Sequence, residues 1–379
     1  MPSLARSALV VLGRRDNRAV SDHVLVSAEP LLDFTTRVVR AMGAGVEAAD
    51  EVARHLVNAN LSGHDSHGVI RLMQYVGELD RGELHPGAET RLLQGSQVTA
   101  LFDAQGGFGQ HSTMVATRWA IGQARQQGLA AAAVRHSMHI GRLGEYTEKM
   151  AGEGLVGMVT VGVAGPGSGT VAPFGGSARF LGTNPWSFGV PAAGRPPAIF
   201  DAATSTIAEG KARVALARGG EVPAGTVRDP EGRPSTDPAQ LYAGGTLTVL
   251  GGEVAGHKGF GLSLASALVG GLAMIEDPDP TTAGTMRPPE TWGARLAGVF
   301  LVAIEPAAFG DALDYQRRVA EVLDALTASP SLPGGEQVLV PGDPERASRE
   351  RRRRDGIPVP TATWEELGRL AARFGLALP

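Results

Sequence analysis

The chain reads as an α/β protein of the α+β kind, with a sheet unit inserted between two helical ends. Three observations predict this. Apolar residues recur at helical spacing up to about residue 75, short apolar runs bounded by glycine and proline take over from Leu129, and helical patterns return after Ile304. Leu31, Phe34, Val38 and Met42 mark a first helix, and Val46, Val52, Leu56 and Leu61 a second. In Gly63–Tyr75, Asp65 and Ser66 are expected to cap a third, because their side-chain oxygens accept from unpaired amides. A fourth helix is expected over Ser112–Gln127. Strands are expected at Leu129–Val134, Leu155–Val163, Ser187–Val190, Ala198–Phe200 and Ala297–Ile304. Helices at about Leu143–Glu153 and Ile207–Arg218 lie between them, and Gly259–Ile275 reads as a buried core helix. Asp311–Thr327 is helical again, and Thr363-Trp364-Glu365-Glu366 reads as a capping box before the last helix. The expected domains are a loosely ordered extension (1–22), a helical domain (23–127 with 305–379) and a sheet domain (128–304).

Composition narrows the function. The 379 residues can bury a large core, and 43% hydrophobic with 20% charged residues is ordinary for a globular enzyme. The net charge of −4 and only 5% aromatics argue against nucleic-acid binding. With no cysteine, disulfides, thiolate metal sites and a cysteine nucleophile are excluded. No run reaches the roughly 18 apolar residues of a membrane span. Ala8–Leu12, flanked by arginines, is too short for a secretory leader, so a cytoplasmic protein is expected.

His67 and Arg71, four apart, carry the clearest chemical signal. On one helix, positions 67, 71 and 75 share a face that presents an imidazole, a guanidinium and a phenol. An imidazole moves protons near neutral pH, and a guanidinium grips a carboxylate through two parallel hydrogen bonds. That pairing suits chemistry on a 2-hydroxy or 2-oxo acid. A second stretch, Val134–Tyr146, leaves a strand, enters a helix and offers His139 as another acid/base. Asp201, after a strand, can orient a histidine or accept from a cofactor's ribose or amide. Lys258, at the expected start of the apolar helix, would add charge to an anion site. The loop Gly165–Thr170 looks phosphate-binding but has Thr170 where the dinucleotide fingerprint needs a third glycine. The pairs His64/His67 and His136/His139 raise a metal site as a rival. No glutamate stands between the members of either pair, so a metal is not expected.

Taken together, Gly63–Tyr75, His139–Tyr146, Pro173–Pro185, Asp201–Ser205 with Gly210-Lys211, Thr236-Asp237-Pro238, Lys258–Gly261, Pro341-Gly342-Asp343 and Arg353–Ile357 resemble the malate/L-lactate dehydrogenase family. These oxidoreductases use NAD or NADP without a Rossmann fold. The resemblance implies a mainly antiparallel, cofactor-binding sheet domain inserted into a helical domain built from both chain ends. It also implies a homodimer, with the active site in a cleft between domains near the subunit interface. By the same resemblance His67 and His139 match proton donors or acceptors, and Arg71 with Ser66 beside it binds the substrate carboxylate, with Tyr75 on the same face. Asp201, Ala202, Ala203, Lys258 with Gly259, and the loop Gly162-Val163-Ala164-Gly165 match cofactor positions. The chain departs from the family at Gly162 and Val163, where Asn or Ser is usual, at Val299, which replaces a histidine, and at His257, which replaces a proline.

The expected reaction is hydride transfer between a nicotinamide and C2 of a small 2-hydroxy or 2-oxo acid. Arg71 clamps the carboxylate, His139 or His67 exchanges the hydroxyl proton, and Asp201 holds that imidazole. Three readings compete: an NADPH-dependent reductase of a cyclic imine carboxylate, a histidine–metal hydrolase, and a non-catalytic nucleotide-binding relative.

Overall fold

The computed structural model describes residues 23–217, 219–275 and 296–379, so the extension expected at residues 1–22 lies outside the described residues, as does Arg218. The chain begins with β1 (His23–Val26), α1 (Ala28–Ala41), α2 (Val46–Leu61) and α3 (Arg71–Asp80). Next come β2 (Arg91–Gly95), β3 (Thr99–Asp103), α4 (Gly109–Gln127), β4 (Leu129–Arg135), α5 (Gly144–Gly152), β5 (Val156–Ala164), β6 (Trp186–Val190) and β7 (Ala198–Ala202). α6 (Glu209–Ala217), β8 (Val227–Arg228), β9 (Pro234–Ser235), α7 (Ala239–Tyr242), β10 (Thr246–Leu247) and α8 (Gly252–Gly270) follow. The remainder is β11 (Leu296–Ile304), α9 (Ala312–Thr327), α10 (Asp343–Asp355), β12 (Ile357–Pro360) and α11 (Thr361–Phe374).

The main sheet runs β2-β3-β4-β11-β5-β6-β7. Among the described strands of this sheet, only β3 and β4 pair in parallel. α4 is the crossover helix that a parallel pair requires. The other neighbours are antiparallel, so the sheet is mixed and mainly antiparallel. β1 pairs antiparallel with β12, Val26 opposite Ile357, which brings the two chain ends together. Leu31, Phe34, Leu56 and Leu72 share one core with Ile357, Leu367 and Leu370. A second core joins Ala100, Phe102, Met114 and Ala120 to Val134, Val159 and Leu301. Among the described residues, no helix is long and apolar enough to cross a membrane.

Several elements differ from the reading of the sequence. β2 and β3 enter the sheet 38 residues before the expected first strand at Leu129; β2 is exposed along its whole length, so it shows no alternation to read. α4 packs in the sheet's core rather than with the chain ends. α9 lies against the β6–β7 connection, where the Ala193 N–H donates to Gln316 O (3.1 Å).

No helix starts at Asp65. Asp65–His67 forms a single 3₁₀ turn, Gly68 is extended, and α3 begins at Arg71. Asn60 explains the break. Its Oδ1 accepts the Val69 N–H (2.8 Å) and its Nδ2 donates to Asp65 Oδ1 (2.7 Å). Arg352 of α10 grips both oxygens of the same carboxylate (2.6 and 3.0 Å), so Asp65 is spent on these two instead of a cap. A Cβ at position 68 would lie 2.1 Å from that same Asn60 oxygen, which requires glycine.

α8 is only half buried. It starts at Gly252 and is broken at Ala255, so a second helical segment opens after that residue and Lys258 sits in its first turn, as expected. Its small residues (Gly259, Ser263, Ser266, Ala267, Gly270) face the sheet. Leu262 and Leu268 on its other side, and Leu272 in the 3₁₀ turn that follows it, are about half exposed. A Cβ on Gly162 would come 2.4 Å from the Ala267 backbone, so the helix lies directly on β5. The departure from Asn or Ser at position 162 is therefore a packing requirement here. Val299 is fully buried in the sheet core. Finally, α11 begins at Thr361 after Pro360, which puts Thr363 inside its first turn, buried, and not at a cap.

Candidate active site

The turn divided by Asn60 presents Ser66 and His67, and α3 adds Arg71 and Tyr75. The loop after β4 delivers His139 to the same place. The His67 and His139 rings stack with centroids 5.7 Å apart and planes 21° apart. Tyr75 Oη lies 2.9 Å from His139 Nδ1, and Gln110, from the start of α4, donates its amide N–H to that phenol. Ser66 Oγ lies 3.1 Å from His67 Nδ1. Arg71 Nε donates to Ser66 O (2.7 Å) and Nη1 donates to Gln74 Oε1. Among the described residues, Nη2 has no hydrogen-bond partner and no carboxylate lies within ion-pair distance of the guanidinium. The two imidazoles and the guanidinium thus converge, although the helix that was to carry two of them is broken.

Burial and cationic neighbours act together on the imidazoles. His67 is pushed down to about 3, by burial first and then by Arg71, His64 and Arg142. His139 is held well below its ordinary value by burial, Arg71, His67 and His55. His55, whose Nε2 accepts the Arg142 N–H (2.9 Å), is also pushed down to about 3, by burial and Arg142. All three are neutral bases at neutral pH. Burial raises Tyr75 above the ordinary phenol value, so it remains a phenol and keeps its O–H.

These shifts have a sign for stability. A histidine whose folded value is depressed binds fewer protons folded than unfolded between about pH 3 and pH 6.5, so its contribution to stability is lost as pH falls through that window. His55→Gln keeps an acceptor for the Arg142 amide but cannot titrate. The stability gap between wild type and this variant is expected to narrow on acidification, by up to about 1.4 kcal/mol per pH unit below 6.5. Urea melts at pH 7, 6 and 5 measure it, and a gap that stays constant with pH contradicts the assignment.

Asp201 does not serve either imidazole. Its Oδ2 accepts the Gly144 N–H (2.7 Å) at the first residue of α5. Burial pushes its carboxyl up, against Arg142 and that N–H. The expected role as an imidazole holder is corrected to anchoring α5, because β7 ends beside α5 and not beside α3. Three residues that the sequence reading did not single out line the site: Gln110, His55 and Arg142. Arg142 is buried and ion-paired with Glu148, which also pairs with Arg349 of α10 (2.6 Å). The two H-x-x-H pairs do not assemble. His64 Nε2 meets Glu345 Oε1 at 3.0 Å and His136 Nδ1 meets Asp103 at 3.1 Å, which leaves only His67 and His139 together.

The expected cofactor positions share one end of the sheet. Gly162–Ala164 finish β5, Trp186 starts β6 opposite Ala202, and Ala203 follows β7. Trp186 Nε1 donates to Leu262 O (3.0 Å), one turn past Lys258 and Gly259 on α8. From this end the chain enters α6, where Gly210 packs so tightly that a Cβ would lie 2.5 Å from Ser66 Cβ. The sheet end and the histidine site are therefore continuous. Lys258 is exposed and forms no ion pair among the described residues. The Gly165–Thr170 loop folds back onto residues 179–181, through Gly167 N–H to Arg179 O (3.0 Å) and Thr170 N–H to Leu181 O (3.0 Å). It is a packed turn. A separate cavity of about 380 Å³ opens between Phe174–Ser177 and Arg228–Glu253, and none of the converging residues line it.

The family model for malate/L-lactate dehydrogenase matches residues 26–368. The chain is 33% identical over 347 residues to an L-lactate dehydrogenase of Cupriavidus necator, covering 90% of this chain and 95% of that protein. It is 33% identical over 334 residues to a Delta(1)-pyrroline-2-carboxylate reductase of Ancylobacter novellus, covering 88% and 93%. The crystal structure of malate dehydrogenase from Entamoeba histolytica superimposes with a TM-score of 0.84 at 26% identity, covering 94% of this chain and 99% of that one. The chain is an oxidoreductase. More narrowly, it belongs to the malate/L-lactate dehydrogenase family.

Proposed function

We infer that the protein transfers hydride between NAD or NADP and C2 of a small 2-hydroxy or 2-oxo acid. The carrying observation is an unpaired guanidinium edge, Arg71 Nη2, beside two stacked, neutral imidazoles. The free edge of Arg71 binds the substrate carboxylate and fixes C2, and positioning of this kind contributes several kcal/mol. His139 exchanges the proton of the C2 oxygen, with His67 stacked against it. A nicotinamide, when bound, supplies the hydride acceptor or donor. Gly162–Gly165, Ala202, Ala203, Lys258 and Gly259 would hold that dinucleotide at the sheet end, and the exposed, unpaired Lys258 suits its diphosphate. The half-exposed leucines of α8 suit a homodimer, and a cytoplasmic site of action belongs to the same reading.

A second reading is favoured by one finding, the similarity to the Ancylobacter novellus reductase. A cyclic imine carboxylate would use the same Arg71 clamp. The deciding experiment follows nicotinamide absorbance against a panel of 2-oxo acids and cyclic imine carboxylates with both cofactors. Turnover of a 2-oxo acid is the expected result, turnover of imines alone moves the conclusion to the second reading, and no turnover on any member ends both.

A further inference from the structure

We propose that Gln110 is a positioning residue that sets the tautomer of His139 through Tyr75. The three groups form one buried chain from α4 to the β4 loop. Gln110 and Tyr75 are almost fully excluded from solvent. The amide N–H of Gln110 donates to Tyr75 Oη. A phenol has a single proton, and with its oxygen already accepting, that proton is directed to the other neighbour, His139 Nδ1 at 2.9 Å. A neutral imidazole that accepts at Nδ1 carries its own proton on Nε2. The resting site therefore holds His139 as the Nε2–H tautomer, a hydrogen-bond donor for a substrate oxygen. Tyr75 being held as a phenol by burial agrees with this direction.

The other end of the amide matters as well. Gln110 Oε1 is buried and has no hydrogen-bond partner among the described residues. Turned over, that amide would accept from the Tyr75 O–H, the phenol oxygen would accept from Nδ1–H, and Nε2 would be left bare as a base. One glutamine thus supports both proton placements that a reversible proton exchange needs, which neither an apolar residue nor a pure donor can do.

The inference rests on the reading above only for the use of His139 in catalysis. The tautomer itself is read in the resting protein. Histidine-selective ¹⁵N labelling and long-range ¹⁵N–¹H correlation at pH 7, assigned with His139→Gln, are expected to show the Nε2–H tautomer in wild type. Gln110→Met, close in shape but unable to donate or accept, is expected to shift His139 toward a mixture with Nδ1–H. Tyr75→Phe is expected to do the same and provides the test should Gln110→Met not fold. A wild-type Nδ1–H tautomer, or an imidazolium, overturns the proposal, and so does a folded Gln110→Met with an unchanged His139 spectrum. In turnover, Gln110→Met is expected to lose about 10–100-fold in kcat, the scale of supporting groups behind a functional histidine, with little change in KM. The Gln110→Met/Tyr75→Phe double variant is expected to lose no more than the worse single one. Wild-type protein that turns over no acid would end the functional reading and leave the tautomer result standing.

Discussion

His139→Ala is expected to lower kcat about 10²–10⁴-fold, the usual contribution of a positioned acid/base group. With Nδ1 engaged by Tyr75, Nε2 is the ring nitrogen left to exchange a proton with the substrate. Burial and the charge of Arg71 keep the ring neutral in the resting state, with its one proton on Nε2, so it is set to donate to a substrate oxygen and acts as a base after that proton has moved to Nδ1. Alanine also leaves Tyr75 without its partner, and lost structure must be told apart from lost proton transfer. His139→Gln separates them, because its carbonyl can accept from Tyr75 but cannot cycle a proton. It is expected to be nearly as slow as alanine while keeping the wild-type melting temperature within a few degrees. His67→Ala is expected to cost less than His139→Ala, since among the described residues the His67 ring is hydrogen-bonded only to Ser66 and acts on His139 through ring stacking. A His139→Gln enzyme with wild-type kcat across pH 5–9 would remove His139 from the chemistry.

Much of the fold and part of this site were legible in the sequence, for identifiable physical reasons. α1 and α2 bury one stripe each, so their spacing is visible in Leu31, Phe34 and Val38 or Val52 and Leu56. β4, β5 and β11 lie inside the sheet and read as continuous apolar runs. β2 lies at the sheet's edge with every residue exposed, and its pairing partner supplies the only signal. Asp65 reads as a cap because local chemistry permits it. The competitors that win are Asn60, five residues upstream, and Arg352 of α10, and side chains reaching in across a turn or from the far end of the chain leave no periodic trace. Asp201 was misread for a related reason. It lies inside β7, one residue before the strand's end and not after it, and its partner is the Gly144 amide; which helix start meets which strand end is a tertiary fact. Gln110 sits at the opening of an otherwise ordinary helix. Only the meeting of α3, α4 and the β4 loop gives it a role.

Arg71→Ala is expected to lower kcat/KM about 10²–10⁴-fold, from the loss of two charge-assisted hydrogen bonds worth about 3–5 kcal/mol together. The estimate depends on where the guanidinium's donors go. Nε is committed to Ser66 O and Nη1 to Gln74, both neutral acceptors that hold the group without neutralising it. Glu78 and Glu209 act on it only from beyond ion-pair range, and burial lowers its affinity for its own proton. A desolvated cation in that state gains most from an anion that docks on its open edge, so a substrate carboxylate should bind Arg71 better than any protein carboxylate nearby does. The same arrangement predicts the result for lysine. Arg71→Lys keeps the charge but loses the planar fork and the Nε bond that ties the Ser66 turn to α3, so rescue should be partial. The loss in Arg71→Ala should fall on both KM and kcat, because a loosely held carboxylate also leaves C2 misaligned. A neutral amide analogue of the best substrate gives the decisive control. Wild-type enzyme should turn it over about as poorly as Arg71→Ala turns over the acid, and Arg71→Ala should discriminate little between the two. If the variant still prefers the acid as strongly as wild type does, the carboxylate is bound elsewhere, and the clamp is not Arg71.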